Sequence, residues 1–133
     1  KRLSAFCRFQ IIELSEARLP QDPNAAEIAK VLGEESKAIL AAAGRSALYT
    51  LCIEGKLVSS TQLAQQIDAA AVNGESSLAF VIGSSHGLDD SVKQGSKRIS
   101  MSPMTFPHQL ARVMLCEQLY RAFSINAGTK YHK

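Results

Sequence analysis

Residues 47–53 (ALYTLCI) and 77–82 (SLAFVI) are short runs with almost no polar side chain. A strand wetted on one face alternates apolar and polar residues, and a strand covered on both faces loses that alternation. Strands of the second kind need helices on each side of their sheet, and the rest of the chain has the spacing to supply them. Asn24 stands where an N-cap belongs, with Glu27 three residues on as in a capping box, ahead of Ile28, Val31, Leu32, Ile39 and Leu40. Gly44 is placed to stop that helix near residue 43. Ser59, Ser60 and Thr61 offer caps for a second helix through Leu63, Ile67, Ala70 and Ala71, ending near Asn73-Gly74. A turn is expected at Glu54-Gly55-Lys56, a short helix over residues 89–94 and a short strand over 98–102. Pro107 is suited to the first position of a last helix, which runs through Leu110, Val113, Met114, Glu117 and Arg121 to about Phe123. Residues 7–14, CRFQIIEL, predict a further strand, and residues 15–23, with two prolines, a loop. The expectation is an α/β fold, a largely parallel sheet flanked by helices. With 133 residues it fills one domain, 1–133.

Charge is unevenly spread. Residues 1–92 carry 8 Lys and Arg against 11 Asp and Glu, whereas residues 93–133 carry 7 against Glu117 alone. The C-terminal part therefore suits an anionic partner, or is a solvated basic face with none; charge alone leaves both open. No apolar run reaches the ~18 residues of a membrane helix. Lys1-Arg2-Leu3-Ser4 is not followed by the apolar stretch of a signal peptide. A cytoplasmic protein that avoids the membrane is expected. Cys7, Cys52 and Cys116 have no CxxC spacing and sit among apolar neighbours, so they read as small buried hydrophobes.

In open α/β sheets ligands sit beyond the carboxyl ends of strands. Three such ends are residues 51–55, 82–84 and 101–104. Gly83 and Gly87 bracket a loop that a ligand could approach closely, but GSSHG is neither GxGxxG nor a phosphate-binding P-loop, and by itself is only a tight strand-to-helix turn. His86, His108 and His132 are too dispersed for a metal set, and no metal is expected. His108 reads as a structural residue at a helix start. His132, in a basic tail, could meet a phosphate or a base, or simply fray. Arg112 and Arg121, nine apart, lie about 180° apart around a straight helix and cannot face one partner. Arg121, beside Tyr120 and near Phe123, suits RNA stacking or covers the core edge. The Asp89-Asp90 pair reads as first-turn residues favoured by the helix dipole.

Longer strings go further. FVIGSSHGL (residues 80–88) resembles an F-V-I-G-G-x-x-G-L loop, and LCIEGK (51–56) a T-L-x-x-x-G-K segment. MSPMTFPHQLARVMLCEQLYRAF (101–123) resembles L-S-x-M-T-F-P-H-Q-x-x-R-V-x-L-x-E-Q-x-Y-R-A-F, and the chain ends on Tyr131-His132-Lys133, a Y-H-K ending. These are motifs of the RlmH-type SPOUT methyltransferases, and the likeness covers essentially the whole chain. Ser84 stands where the family usually has a second glycine, and Pro103 falls at a variable position of the loop. The family also begins with a strand and helix of roughly 25 residues for which this sequence has no counterpart, Lys1-Arg2-Leu3 resembling that helix's end.

The resemblance implies a SPOUT α/β knot, in which the C-terminal segment threads a loop as a trefoil, something no pattern rule would propose. It implies a homodimer with active sites near the subunit interface. The activity implied is S-adenosylmethionine-dependent methylation of N3 of a pseudouridine in 23S ribosomal RNA, on the assembled ribosome. Cofactor contacts then fall on Leu51, Gly83, Met101, Ser102, Pro103, Met104, Thr105 and Phe106. RNA binding or catalysis falls on Arg121, Tyr131 and His132, with His132 or a water as the base for N3–H. Two other functions compete: a non-catalytic RNA-binding module using the basic C-terminal face, and a flavodoxin-like nucleotide-binding domain using the Gly83–Gly87 loop. The long C-terminal likeness weighs against the second.

Overall fold

A computed structural model describes residues 2–14, 19–83 and 87–132. After a 3-10 turn at Arg2–Ala5, the elements are α1 (Ala25–Ala43), β1 (Ala47–Leu57), α2 (Ser60–Val72), β2 (Leu78–Ile82), α3 (Asp90–Gln94), β3 (Lys97–Ser100) and α4 (His108–Asn126). The three strands form a parallel sheet in the order β2-β1-β3. The central strand carries the apolar ALYTLCI run; Tyr49 and Thr50 at its middle are buried, one on each face, while Ile53 is exposed.

The helix boundaries follow the capping chemistry. The Asn24 side chain accepts from the Glu27 amide at 2.8 Å, and the Glu27 carboxylate accepts from the Asn24 amide at 3.1 Å. Ser59 and Gln62 make the same reciprocal pair at the head of α2. Gly44 ends α1 at a φ of 57°, a left-handed conformation that suits glycine.

The core lies between the sheet and the α2–α4 layer. Tyr49 and Ile99 from the strands meet Leu63, Ala64 and Ile67 of α2 and Leu115, Leu119 and Ala122 of α4. Tyr49 stacks on Phe80 of β2 with ring centroids 4.8 Å apart. Two polar ties fix α2 on α4: Ser60 donates to Gln118 Oε1 at 2.5 Å, and Asn126 donates to the Ala64 carbonyl at 3.0 Å. Side chains of β1 alternate in direction, so Thr50 lies on the other face from Tyr49, its hydroxyl 2.9 Å from that of Ser96. Phe6 reaches back over the end of α4, 5.7 Å from Tyr120 and 5.9 Å from Phe123.

Several expected boundaries move. Residues 7–14 are not a strand: they pair with neither sheet edge, and Ile11, Ile12 and Leu14 stay exposed. β-propensity needs a neighbouring strand to become structure, and this segment has none within the sheet. β1 does not stop at residue 53 but continues to Leu57, β3 spans 97–100 rather than 98–102, and α4 runs to Asn126. Pro107 is the N-cap of α4, one residue outside the first turn, with a ψ of 141°. The expected loop residues 15–18, together with Ser84, Ser85 and His86, lie outside the described residues. No helix is long and apolar enough to cross a membrane among the described residues.

Candidate active site

The carboxyl end of the sheet is opened by an irregularity in β1. Ile99 of β3 pairs with Leu51 and then again with Lys56, so residues 52–55 leave the ladder. Gly55 is where the chain comes back, and a Cβ there would stand 2.8 Å from the Ile99 backbone. The expected turn at Glu54-Gly55-Lys56 is thus an excursion inside one strand. It carries Cys52, Ile53 and Glu54 over the sheet end, where they help line a cavity of about 610 Å³. The loop after β3 closes the opposite wall. Ser100 donates to the Ser102 carbonyl at 2.9 Å and Ser102 accepts from the Met104 amide at 3.0 Å, so two hydroxyls shape the turn that Pro103 interrupts.

Of the residues expected at a cofactor, Leu51, Gly83, Met101, Ser102, Met104, Thr105 and Phe106 all line this cavity. Pro103 belongs to the same loop but is exposed and does not line the cavity. Gly83 is required by the chain itself: a Cβ there would meet the Gly87 carbonyl oxygen at 2.6 Å. The two glycines are therefore in close backbone contact, with Leu88 packed beside them.

Of the charged and histidine side chains that line it, Glu54 falls in the expected strand end 51–55, whereas His108 and Lys93 were not assigned to this site from the sequence. His108 opens α4 at the cavity wall. Glu54 and Lys93 form an ion pair of 2.5 Å across its rim. The hydrogen bond from Lys93 holds the Glu54 carboxyl below its usual range, and the same bond raises Lys93. The strand end 51–55 pointed to Glu54; Lys93, 39 residues away in sequence, carried no such signal. Cys52 also lines the cavity, but burial and then the Glu54 charge push its thiol up, so at neutral pH it is a wall and not a nucleophile.

The expected catalytic residues form a second, polar assembly. Arg121 of α4 donates from Nε to Glu117 Oε1 at 3.2 Å and from Nη2 to Glu117 Oε2 at 3.0 Å. Tyr131 donates to Glu117 Oε2 at 2.8 Å, and its ring lies 4.9 Å from the guanidinium carbon. Tyr131 also meets Tyr120 edge-on at 4.7 Å. Arg121 Nη1 is 3.0 Å from His132 Nδ1. Glu117, read from the sequence only as a helical position, is the hub. The tail is therefore docked and not frayed up to His132; Lys133 lies outside the described residues. Arg112 pairs with Glu13 while Arg121 pairs with Glu117, so the two arginines do face different partners.

Cavity and tail assembly are separate within one chain. On α4 the cavity ends at Ala111 and the assembly begins at Glu117, six residues on, which is about 9 Å along its axis. None of Glu117, Arg121, Tyr131 and His132 lines the cavity. Among the described residues, no three His, Cys, Asp or Glu side chains gather as metal ligands would.

Comparison with known proteins decides the family. Residues 1–132 match the family model described as "Predicted SPOUT methyltransferase". The chain belongs to the SPOUT methyltransferase family. Relatives named ribosomal RNA large subunit methyltransferase H are similar over its whole length. The one from Exiguobacterium sibiricum is 46% identical, that from Clostridioides difficile 44% and that from Leuconostoc mesenteroides 42%. Each alignment spans 135 residues, covering 100% of this chain and 85% of the relative.

Proposed function

We propose that this single domain is an S-adenosylmethionine-dependent methyltransferase of large-subunit ribosomal RNA. Its target is N3 of a pseudouridine on the assembled ribosome, in the cytoplasm, and its C-terminal segment is knotted as in the family it resembles. The observation that carries this reading is the strand-end cavity, lined at the positions where the resemblance sets the cofactor.

The residues suit such a ligand. A volume of about 610 Å³ falls in the ordinary range for small-molecule sites, ~300–1,000 Å³. Leu51, Ile82, Met104 and Phe106 offer apolar walls to a purine, and the polar backbone of the 101–106 loop offers donors and acceptors to its edge and to the ribose. The Glu54–Lys93 pair offers both signs of charge to an amino-acid zwitterion. The bound cofactor supplies a methyl group already made electrophilic by its sulfonium. The protein's work is then to hold the acceptor nitrogen in line with it and to see the N3 proton leave.

Arg121, Tyr131 and His132 line no part of their own chain's cavity, which supports a reading with two copies. Methyl transfer needs the acceptor nitrogen against the methyl group, and in this reading Arg121, Tyr131 and His132 serve the cavity of another chain. We place them there in a homodimer. The exposed Leu110 and Val113 of α4, joined by the Glu13–Arg112 pair to the segment that exposes Ile11, Ile12 and Leu14, give such a dimer an apolar face.

The test supplies purified chain and methyl-labelled S-adenosylmethionine to ribosomes that lack the modification. Label is expected in the large-subunit RNA, at N3 of one pseudouridine. Label at another base would refute the target, and no transfer despite RNA binding would favour the non-catalytic module.

A further inference from the structure

We infer that His132 acts as a neutral hydrogen-bond donor through Nε2, held in that form by Glu117 and Arg121, and not as the base that removes the target proton. The inference rests on the proposed function for its substrate, and it deepens that reading by giving one residue a definite role.

A guanidinium has five N–H donors and no acceptor. In the contact between Arg121 Nη1 and His132 Nδ1 at 3.0 Å, the imidazole nitrogen must therefore accept. A neutral imidazole that accepts at Nδ1 carries its proton on Nε2. Nδ1, the lone pair a base would use, is occupied, and Nε2 is a donor. The geometry is over-determined, because Arg121 cannot swing away freely. Its Nε and Nη2 are tied to the two carboxylate oxygens of Glu117, at 3.2 and 3.0 Å, and Tyr131 lies under its plane while donating to the same carboxylate at 2.8 Å. Nη1 is the edge left to meet His132. Glu117 and Arg121 are positioning residues; only His132 meets the substrate.

The chemistry suits a donor. N3 of a uracil-type ring lies between two carbonyl groups, so loss of its proton spreads the negative charge over both carbonyl oxygens. An N–H aimed at one of them stabilises that anion as it forms. The N3–H bond breaks and its proton passes to water. The N3 lone pair forms the new N–CH₃ bond as the S–CH₃ bond breaks, and the bonding pair stays on sulfur, which leaves as a neutral thioether. His132 begins and ends the reaction neutral.

The experiment combines nitrogen-15 NMR of histidine-labelled full chain with kinetics of two variants. His132 is assigned against His86 and His108 by its loss in His132→Gln. At a pH where the imidazoles are neutral, His132 is expected to show a bare Nδ1 and a protonated Nε2, and Glu117→Gln is expected to mix the tautomers. A protonated Nδ1 in the unaltered chain overturns the inference. A glutamine amide can donate from near the Nε2 position but cannot act as a base. His132→Gln is therefore expected to lose roughly tenfold in methyl transfer where His132→Ala loses at least ~100-fold, with unchanged S-adenosylhomocysteine affinity in both. Equal losses in the two variants overturn the donor role. A chain that shows the Nε2–H tautomer but methylates no ribosomal RNA sinks the proposed function and leaves the tautomer standing.

Discussion

The cavity and the tail assembly are built by different means. The cavity is shaped by backbone: a strand that leaves and rejoins its ladder, two glycines in contact, and a loop tied by two serine hydroxyls. Its walls are mostly apolar, so it can hold a ligand without any of its side chains doing chemistry. The tail assembly is shaped by side chains, with one carboxylate holding an arginine and a tyrosine, and the arginine holding a histidine. In the proposed reading, binding belongs to the first region and orientation of a reacting group to the second, and α4 joins them, with Ala111 at the cavity and Glu117 in the assembly about 9 Å apart along its axis.

If that division is right, damage to each region has a different signature. Arg121→Ala removes the link between Glu117 and His132 and should give the largest effect, a loss of at least ~100-fold in methyl transfer with cofactor affinity unchanged. Single-turnover rates and a parallel binding titration separate the two quantities. The same variant sharpens the two-chain account. Co-refolded with Met104→Glu, which puts a charge into the cavity wall, it should recover activity, because a mixed dimer has one intact cavity facing one intact tail. Two inactive variants that stay inactive when mixed would mean that cavity and tail of one chain meet.

The smallest effect belongs to the rim ion pair. Glu54 is half exposed, so Glu54→Gln should cost no more than ~1 kcal/mol of stability, after screening by water. Its carboxyl is held low by Lys93, so its contribution is present above the ordinary carboxylate pKa of about 4 and fades as pH falls through the lowered value. Lys93 is raised, so its share is present below the ordinary lysine range and fades as pH climbs past it. Urea midpoints of both proteins should therefore differ slightly near neutrality and converge in strong acid. A gap that persists there would assign Glu54 a role other than its charge.

What the residues disclosed in advance follows the same division. The α/β class, the Asn24–Glu27 capping box, Ser59 among the candidate caps of α2 and the Gly44 stop are local or periodic features, and they were legible. The loop 101–106 was legible as a strand-end loop, and its residues gained a ligand only through the family resemblance. The strand expected over residues 7–14 failed because apolar spacing cannot say whether a neighbouring strand exists. The excursion at residues 52–55 was hidden because it depends on Ile99 pairing with both Leu51 and Lys56. Glu117 went unnoticed because a helical glutamate ahead of an arginine looks like an ordinary surface pair; only the returning tail makes it a hub. Gly83 was expected as a ligand-facing glycine, yet the space its side chain would fill is taken by Gly87, so substitution there disturbs the loop as well as any ligand.

The most direct test of the cavity's role is calorimetric titration of S-adenosylhomocysteine into the folded chain and into Met104→Glu, whose altered side chain is 70% exposed and should not disturb folding. Saturable binding by the first, weakened tenfold or more in the second, is the predicted result, tenfold being about 1.4 kcal/mol. A folded chain that takes up no ligand, or a Met104→Glu variant that binds as well as the original, would contradict the assignment of the strand-end cavity to the methyl donor.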